Sequence, residues 1–222
     1  MIISENENYI ICNKPVGVSS QKSPDGKDMP NLIFQKAQIP LSKIHPIHRL
    51  DNPVGGTMIY AIGSKSASLL SKLISENKLK KEYFAVIHGE PEIGETVLKD
   101  LLFKDSSKNK SFVVKRMRKG VKEASLEYKV LSTVCYNEEK VSLVRIILHT
   151  GRTHQIRVQF SHRKMPLLGD RRYGSGKDNC SVALWSHSLS FVSPFDGREK
   201  VYSSIPDIES FPWCLFENSL FL

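Results

Sequence analysis

Three β-rich segments between residues 111 and 149 constrain this chain more than any other feature of its sequence. Residues 111–116, 124–134 and 141–149 all carry β-branched side chains, which suit a pleated, half-buried surface. The second and third are joined by Tyr136-Asn137-Glu138-Glu139-Lys140, a connection short enough for a hairpin, which predicts antiparallel neighbours. Residues 9–13, 57–62 and 82–88 read as further strands. The first is ended by Lys14-Pro15 and Gly17, the last by Gly89 and Pro91. Residues 181–192 and 199–203 read as a final hairpin around Pro194-Phe195-Asp196-Gly197.

Helical periodicity is confined to short stretches between these strands. Residues 32–37 form one candidate. A second starts at Ser64 as a cap and runs to about residue 77, with Ala67, Leu70, Leu73 and Ile74 on one face. A third spans 153–162, with Ile156 and Phe160 four apart and Thr150 or Thr153 as cap. Strands and helices in irregular order, with several hairpins, predict an α+β fold: a mixed, largely antiparallel sheet flanked by helices. There is no repeat and no linker, so residues 1–222 read as a single domain.

Composition narrows the function. Hydrophobic residues make up 40% and charged residues 25%, which excludes disordered and fibrous classes. Lys and Arg number 32 against 23 Asp and Glu, a formal charge of +9 that points to a polyanionic partner, nucleic acid before membrane. The surplus is clustered. Residues 104–122 hold eight basic side chains and residues 152–177 seven, each with a single acidic residue among them. Two such patches can line a groove for a phosphate backbone. Cys12, Cys135, Cys180 and Cys214 lack any C-x-x-C spacing, which suits free thiols in a reducing compartment. No leader and no apolar run of membrane length is present, so the expectation is a cytoplasmic protein. No basic amphipathic helix with large aromatics supports a membrane-surface role.

Several chemical motifs are missing: no G-x-S-x-G elbow and no G-x-G-x-x-G after a strand. His45 and His48 are three apart, but no third ligand follows at a familiar spacing, which favours structural roles over a metal. The remaining constellation is His48-Arg49-Leu50-Asp51-Asn52-Pro53-Val54-Gly55-Gly56, running into the strand at 57. A carboxylate at such a junction, near cations, stays an anion able to act as nucleophile or base. A turn aspartate paired with Arg49 is the competing reading on local chemistry alone.

His48-Arg49-Leu50-Asp51 resembles the His-Arg-Leu-Asp motif of the RluA-type pseudouridine synthases. Lys81-Glu82-Tyr83-Phe84-Ala85 is similar to the family's Lys-x-Tyr-x-Ala strand. Gly151-Arg152-Thr153-His154-Gln155-Ile156-Arg157-Val158, followed by Pro166-Leu167-Leu168-Gly169-Asp170 and Tyr173-Gly174, resembles its third block. Two positions depart from the pattern: Val54-Gly55-Gly56 replaces the usual Thr-Ser-Gly, and Trp185 stands where the family has His.

The resemblance implies the pseudouridine synthase catalytic fold with a central basic cleft, in the compact form without a separate S4-like RNA-binding domain. It implies isomerisation of uridine to pseudouridine in ribosomal or transfer RNA, by a monomer, with no cofactor and no metal. Asp51 maps to the catalytic carboxylate, Tyr83 to the residue that packs on the target base, and Arg157 to the arginine that pairs with the aspartate. Arg49, Arg152, His154 and Gln155 are candidates for holding phosphates or the flipped nucleotide, with capping or core hydrogen bonding as the alternative. A non-catalytic RNA-binding or RNA-folding protein on the same scaffold is the competing function. A bare carboxylate in a phosphate groove argues against it.

Overall fold

The computed structural model describes residues 1–91, 94–174 and 176–220. The chain forms two compact units, Met1–Lys81 with Ser186–Pro206, and Glu82–Trp185 with Asp207–Leu222. Among the described residues, no helix is long and apolar enough to cross a membrane.

The first unit is built on β1 (Ile2–Glu5), β2 (Tyr9–Lys14), β3 (Ile44–Pro46), β4 (Gly55–Ile62), β10 (Leu184–Val192) and β11 (Glu199–Ser203). Their order is β1-β2-β4-β10, with β3 beside β4 and β11 beside β10. Strand β2 pairs antiparallel with β4, Tyr9 opposite Ala61 and Lys14 opposite Gly56. Alternation along the strands then puts Tyr9, Ile11, Ile59, Ala61, Leu189 and Phe191 into one core. Helix α2 (Ser64–Ser75) supplies Leu70 and Leu73 to the same core. Ser64 is its first turn rather than its cap, because Gly63 at φ 80 holds the cap position and no side chain closes the end. Helix α1 (Met29–Ala37) starts three residues before the predicted stretch. Its start is set by Asp28, whose carboxylate accepts from the Asn31 amide, and by a proline in the first turn.

The second unit carries β5 (Lys80–His88), β6 (Glu95–Asp105), β7 (Lys110–Val114), β8 (Val121–Tyr136) and β9 (Glu139–Leu148), in the order β5-β9-β8-β6-β7. The expected β8–β9 hairpin forms, with Tyr136 opposite Glu139. Strand β6 has no counterpart among the strands expected from the sequence: its charged residues mask an alternation in which only Leu98 and Leu102 are fully buried. Helix α3 (Gln155–His162) lies against β6 and β7 and is capped by neither threonine. His154 occupies the cap at φ 53 with no side-chain cap bond. Val158 packs with Leu102 and Ala124, and Phe160 meets Tyr128 edge-on at 5.1 Å between ring centres.

Gly56, at the start of β4, has φ +117, and a Cβ there would sit 2.6 Å from the backbone nitrogen of Ser186. Neither backbone can give way cheaply, so Gly56→Ala should cost more than about 3 kcal/mol in urea unfolding. Gly197, at φ +69 with open space around it, is the control. There only backbone strain is added, and Gly197→Ala should cost about 1–2 kcal/mol.

Candidate active site

In the first unit the segment leading to β4 is pinned residue by residue. The Ser20 hydroxyl donates to the Leu50 carbonyl at 2.8 Å and accepts from the Leu50 amide at 3.0 Å. The Val54 amide donates to the Asp51 carbonyl at 3.0 Å, closing a turn over residues 51–54. The Asn52 carbonyl accepts from the Gly17 amide at 2.9 Å and from the Lys14 ammonium at 3.2 Å. Asp51, half-buried, is thus held on both sides through its neighbours' backbone.

Lys14 is fully buried, and its ammonium also donates to the carbonyls of Pro15 and Val18, at 2.9 and 2.6 Å. Its three N–H donors match three carbonyls. Burial pushes its pKa down to about 8, and the nearby Asp51 carboxylate acts in the opposite sense, holding the charge in place. His48 accepts the Ile59 amide on Nε2 at 3.4 Å, so its neutral ring carries the proton on Nδ1, a buried atom with no hydrogen-bond partner among the described residues. Burial, with the Lys81 cation, pushes its pKa down to about 3. The expected structural role of His48 fits this neutral, wedged ring. Arg49 is exposed and reaches the Gln21 side chain at 3.5 Å.

In the second unit Tyr83 is buried in β5, opposite Ile146 of β9. Arg157 in α3 is 4% exposed and forks onto Asp170, Nε to Oδ2 and Nη2 to Oδ1, both at 2.7 Å. Its guanidinium lies 5.3 Å from the centre of the Tyr173 ring. The Tyr173 hydroxyl accepts from the Ser111 amide at 2.7 Å and meets His154 Nδ1 at 3.0 Å. Gln155 is buried: its carbonyl oxygen accepts from Thr150 Oγ1 and the Arg152 amide, and its amide nitrogen donates to the Ser125 carbonyl. Arg152 donates from Nε to the Glu123 carbonyl at 2.8 Å. The structure therefore gathers Arg157, His154, Asp170 and Tyr173 in one network, and Arg152 with Gln155 in another. Asp51 and Arg49 lie in the first unit, on the segment that Ser20 and Lys14 hold. Lys14, Ser20 and Asp170 were not among the predicted site residues; Asp170 lies in the matched Pro166–Asp170 stretch, and Lys14 could be noticed as a lysine at the end of an otherwise apolar strand.

Comparison with known proteins fits this arrangement. A family model for RNA pseudouridylate synthases matches residues 8–162. The chain belongs to the RNA pseudouridylate synthase family. As such it is an isomerase that acts on uridine in RNA. It is 30% identical over 226 residues to the tRNA pseudouridine synthase C of Vibrio parahaemolyticus, covering 93% of this chain and 90% of that protein. It is 29% identical over 208 residues to the ribosomal large subunit pseudouridine synthase C of Buchnera aphidicola from Schizaphis graminum, covering 89% of this chain and 64% of that protein. Among solved structures, human RNA Pseudouridylate Synthase Domain Containing 1 matches with a TM-score of 0.75 at 22% identity, over 93% of this chain and 83% of the other. That likeness supports the expected α+β pseudouridine synthase fold.

Lys14 has a lower pKa folded than its ordinary 10.5, so between about pH 8 and 10.5 the unfolded chain holds more protons. Stability from this group therefore rises with pH through that window. Lys14→Met strands the carbonyls and should cost about 2 kcal/mol or more at pH 7. The gap between wild type and Lys14→Met in urea titrations should widen from pH 7.5 to pH 10. A constant gap would show that Lys14 does not titrate in that window.

Proposed function

We propose that Asp51 is the carboxylate that performs the isomerisation, in transfer or ribosomal RNA. The observation that carries this reading is the fixation of Leu50 and Asn52 by Ser20, Gly17 and Lys14, which spends a buried cation on aiming one half-buried acid. Such rigidity suits a group that must meet a reacting atom within tenths of an ångström.

The reaction breaks the bond from uracil N1 to ribose C1′, turns the base and joins C5 to C1′. The C5 hydrogen leaves as a proton and N1 gains one. A carboxylate can attack C1′, attack C6 of uracil or take the C2′ proton, and each route needs it ionised. We read Arg157 as the cation that keeps Asp51 ionised and oriented. Extruding the uridine from its stack costs a few kcal/mol, and stacking on Tyr83 returns roughly 1–3 kcal/mol. Arg49, Arg152 and His154 are read as RNA contacts, and Gln155, hydrogen-bonded at both amide atoms, as the brace for residues 150–152. The whole chain is read as one catalytic domain, working as a cytoplasmic monomer. The relative matched over 90% of its length is named for tRNA, which makes tRNA the first substrate to assay.

Asp51→Ala and Asp51→Asn should each lower single-turnover tritium release from C5-labelled RNA by more than about 10³-fold, with RNA affinity near normal. Turnover by Asp51→Ala within about tenfold of wild type would reject Asp51 as the reacting carboxylate.

RNA affinity rests on the basic segments. Lys115, Arg116, Arg118 and Lys119 are exposed between β7 and β8, around Met117 at 56% exposure. Replacing all four cations with alanine should flatten the salt dependence of binding by about 0.7 in log–log slope for each phosphate no longer neutralised. An unchanged slope would mark these residues as solvated only.

A further inference from the structure

We propose that Asp170 is a positioning residue for the reaction, setting the plane of the Arg157 guanidinium. The inference rests on the reading of Arg157 given above. It is carried by who holds whom.

Asp170 is 1% exposed, and its place is fixed by its own loop. Oδ1 accepts from the backbone amides of Arg172 and Tyr173, at 3.0 and 3.1 Å. The residues before it are laced to β5: the Leu168 amide donates to Val86 and the Ala183 amide to Leu168, both at 2.9 Å. Asp178 adds a second tie, accepting from the Gly169 amide at 2.9 Å and meeting His88 Nε2, at the end of β5, at 3.2 Å. The carboxylate is therefore held by its own loop before Arg157 is counted.

Arg157 is long and has rotamers to lose, and it is the group being held. Two of its five N–H donors enter the fork to Asp170, so the direction of the other three follows from the carboxylate. Tyr173 covers one face of the guanidinium and is itself fixed through its hydroxyl. The edge is thus set by Asp170 and the face by Tyr173. Because the Asp170 loop is laced to β5, Arg157 is registered against the strand that carries Tyr83. A buried ion pair is a poor device for stability alone, since apolar groups of the same volume serve as well or better. A planar fork is a good device for direction.

The test is a double-mutant cycle in the full-length protein, read by single-turnover tritium release at equal folded fraction. Asp170→Asn keeps the shape and an acceptor for the two amides but removes the charge. It should slow the reaction by about tenfold or more, with RNA affinity within about threefold of wild type. Arg157→Met should be at least as slow, and Asp170→Asn with Arg157→Met no slower than Arg157→Met alone, within about threefold. A general structural role would instead multiply the two losses. An Asp170→Asn rate within about threefold of wild type, beside a slow Arg157→Met, rejects the positioning role and leaves the reading of Arg157 intact. A wild-type rate in Arg157→Met rejects both. If Asp170→Asn melts too low to assay, Arg157→Met against the double variant decides: equal rates support the proposal, and a further tenfold loss, roughly, overturns it.

Discussion

An ion taken out of water must recover its hydrogen bonds from the protein, and the cost of failing is several kcal/mol. Lys14 and Arg157 are buried cations that meet this demand in different ways. Lys14 recovers its bonds from carbonyl oxygens of residues 15, 18 and 52, so neutral backbone is drawn around a point charge. Arg157 forks onto the Asp170 carboxylate, which fixes an angle as well as a distance. The distinction follows from the side chains: an ammonium gathers loops, whereas a guanidinium is aimed. Around the first is organised the turn that carries Asp51. Around the second are organised α3, the loop through Asp170 and the aromatic ring of Tyr173.

Much of the fold was legible because it is local. Tyr9–Lys14, Gly55–Ile62, Lys80–His88 and the hairpin of Val121–Tyr136 with Glu139–Leu148 announce themselves through β-branched runs bounded by turn residues. Glu95–Asp105 did not, because five charged residues sit among its apolar ones and the strand buries few side chains fully. The helix ends differ from expectation for a related reason. Thr150, expected as a cap, gives its hydroxyl to the Gln155 side chain instead, while His154 takes a left-handed backbone that sequence does not advertise.

The candidate site was legible through its motifs but not through its supports. Asp51 stands out in a short, unusual string. Ser20 does not, since its partner Leu50 lies 30 residues away. Lys14 ends an apolar strand and reads as the first solvated residue after it, yet it is among the most deeply buried side chains in the protein. Asp170 stands in the matched Pro166–Asp170 stretch, but nothing there tells that it forks with Arg157 of α3. In each case the missing information is an interaction between segments distant in the chain, which periodicity and turn chemistry do not encode.

The first unit is discontinuous in the chain, Met1–Lys81 being completed by Ser186–Pro206. During synthesis, Tyr9, Ile11, Ile59 and Ala61 emerge well before Leu189 and Phe191, which share their core. Helix α2 can cover part of the apolar face of β2 and β4 at once, but the core is completed only after more than a hundred further residues are added. A nascent chain in this condition presents open strand edges and exposed hydrophobic surface to its surroundings. The segment bearing Asp51 is made more than a hundred residues before β10, yet the core beneath the strand it leads into is complete only after β10 has left the ribosome.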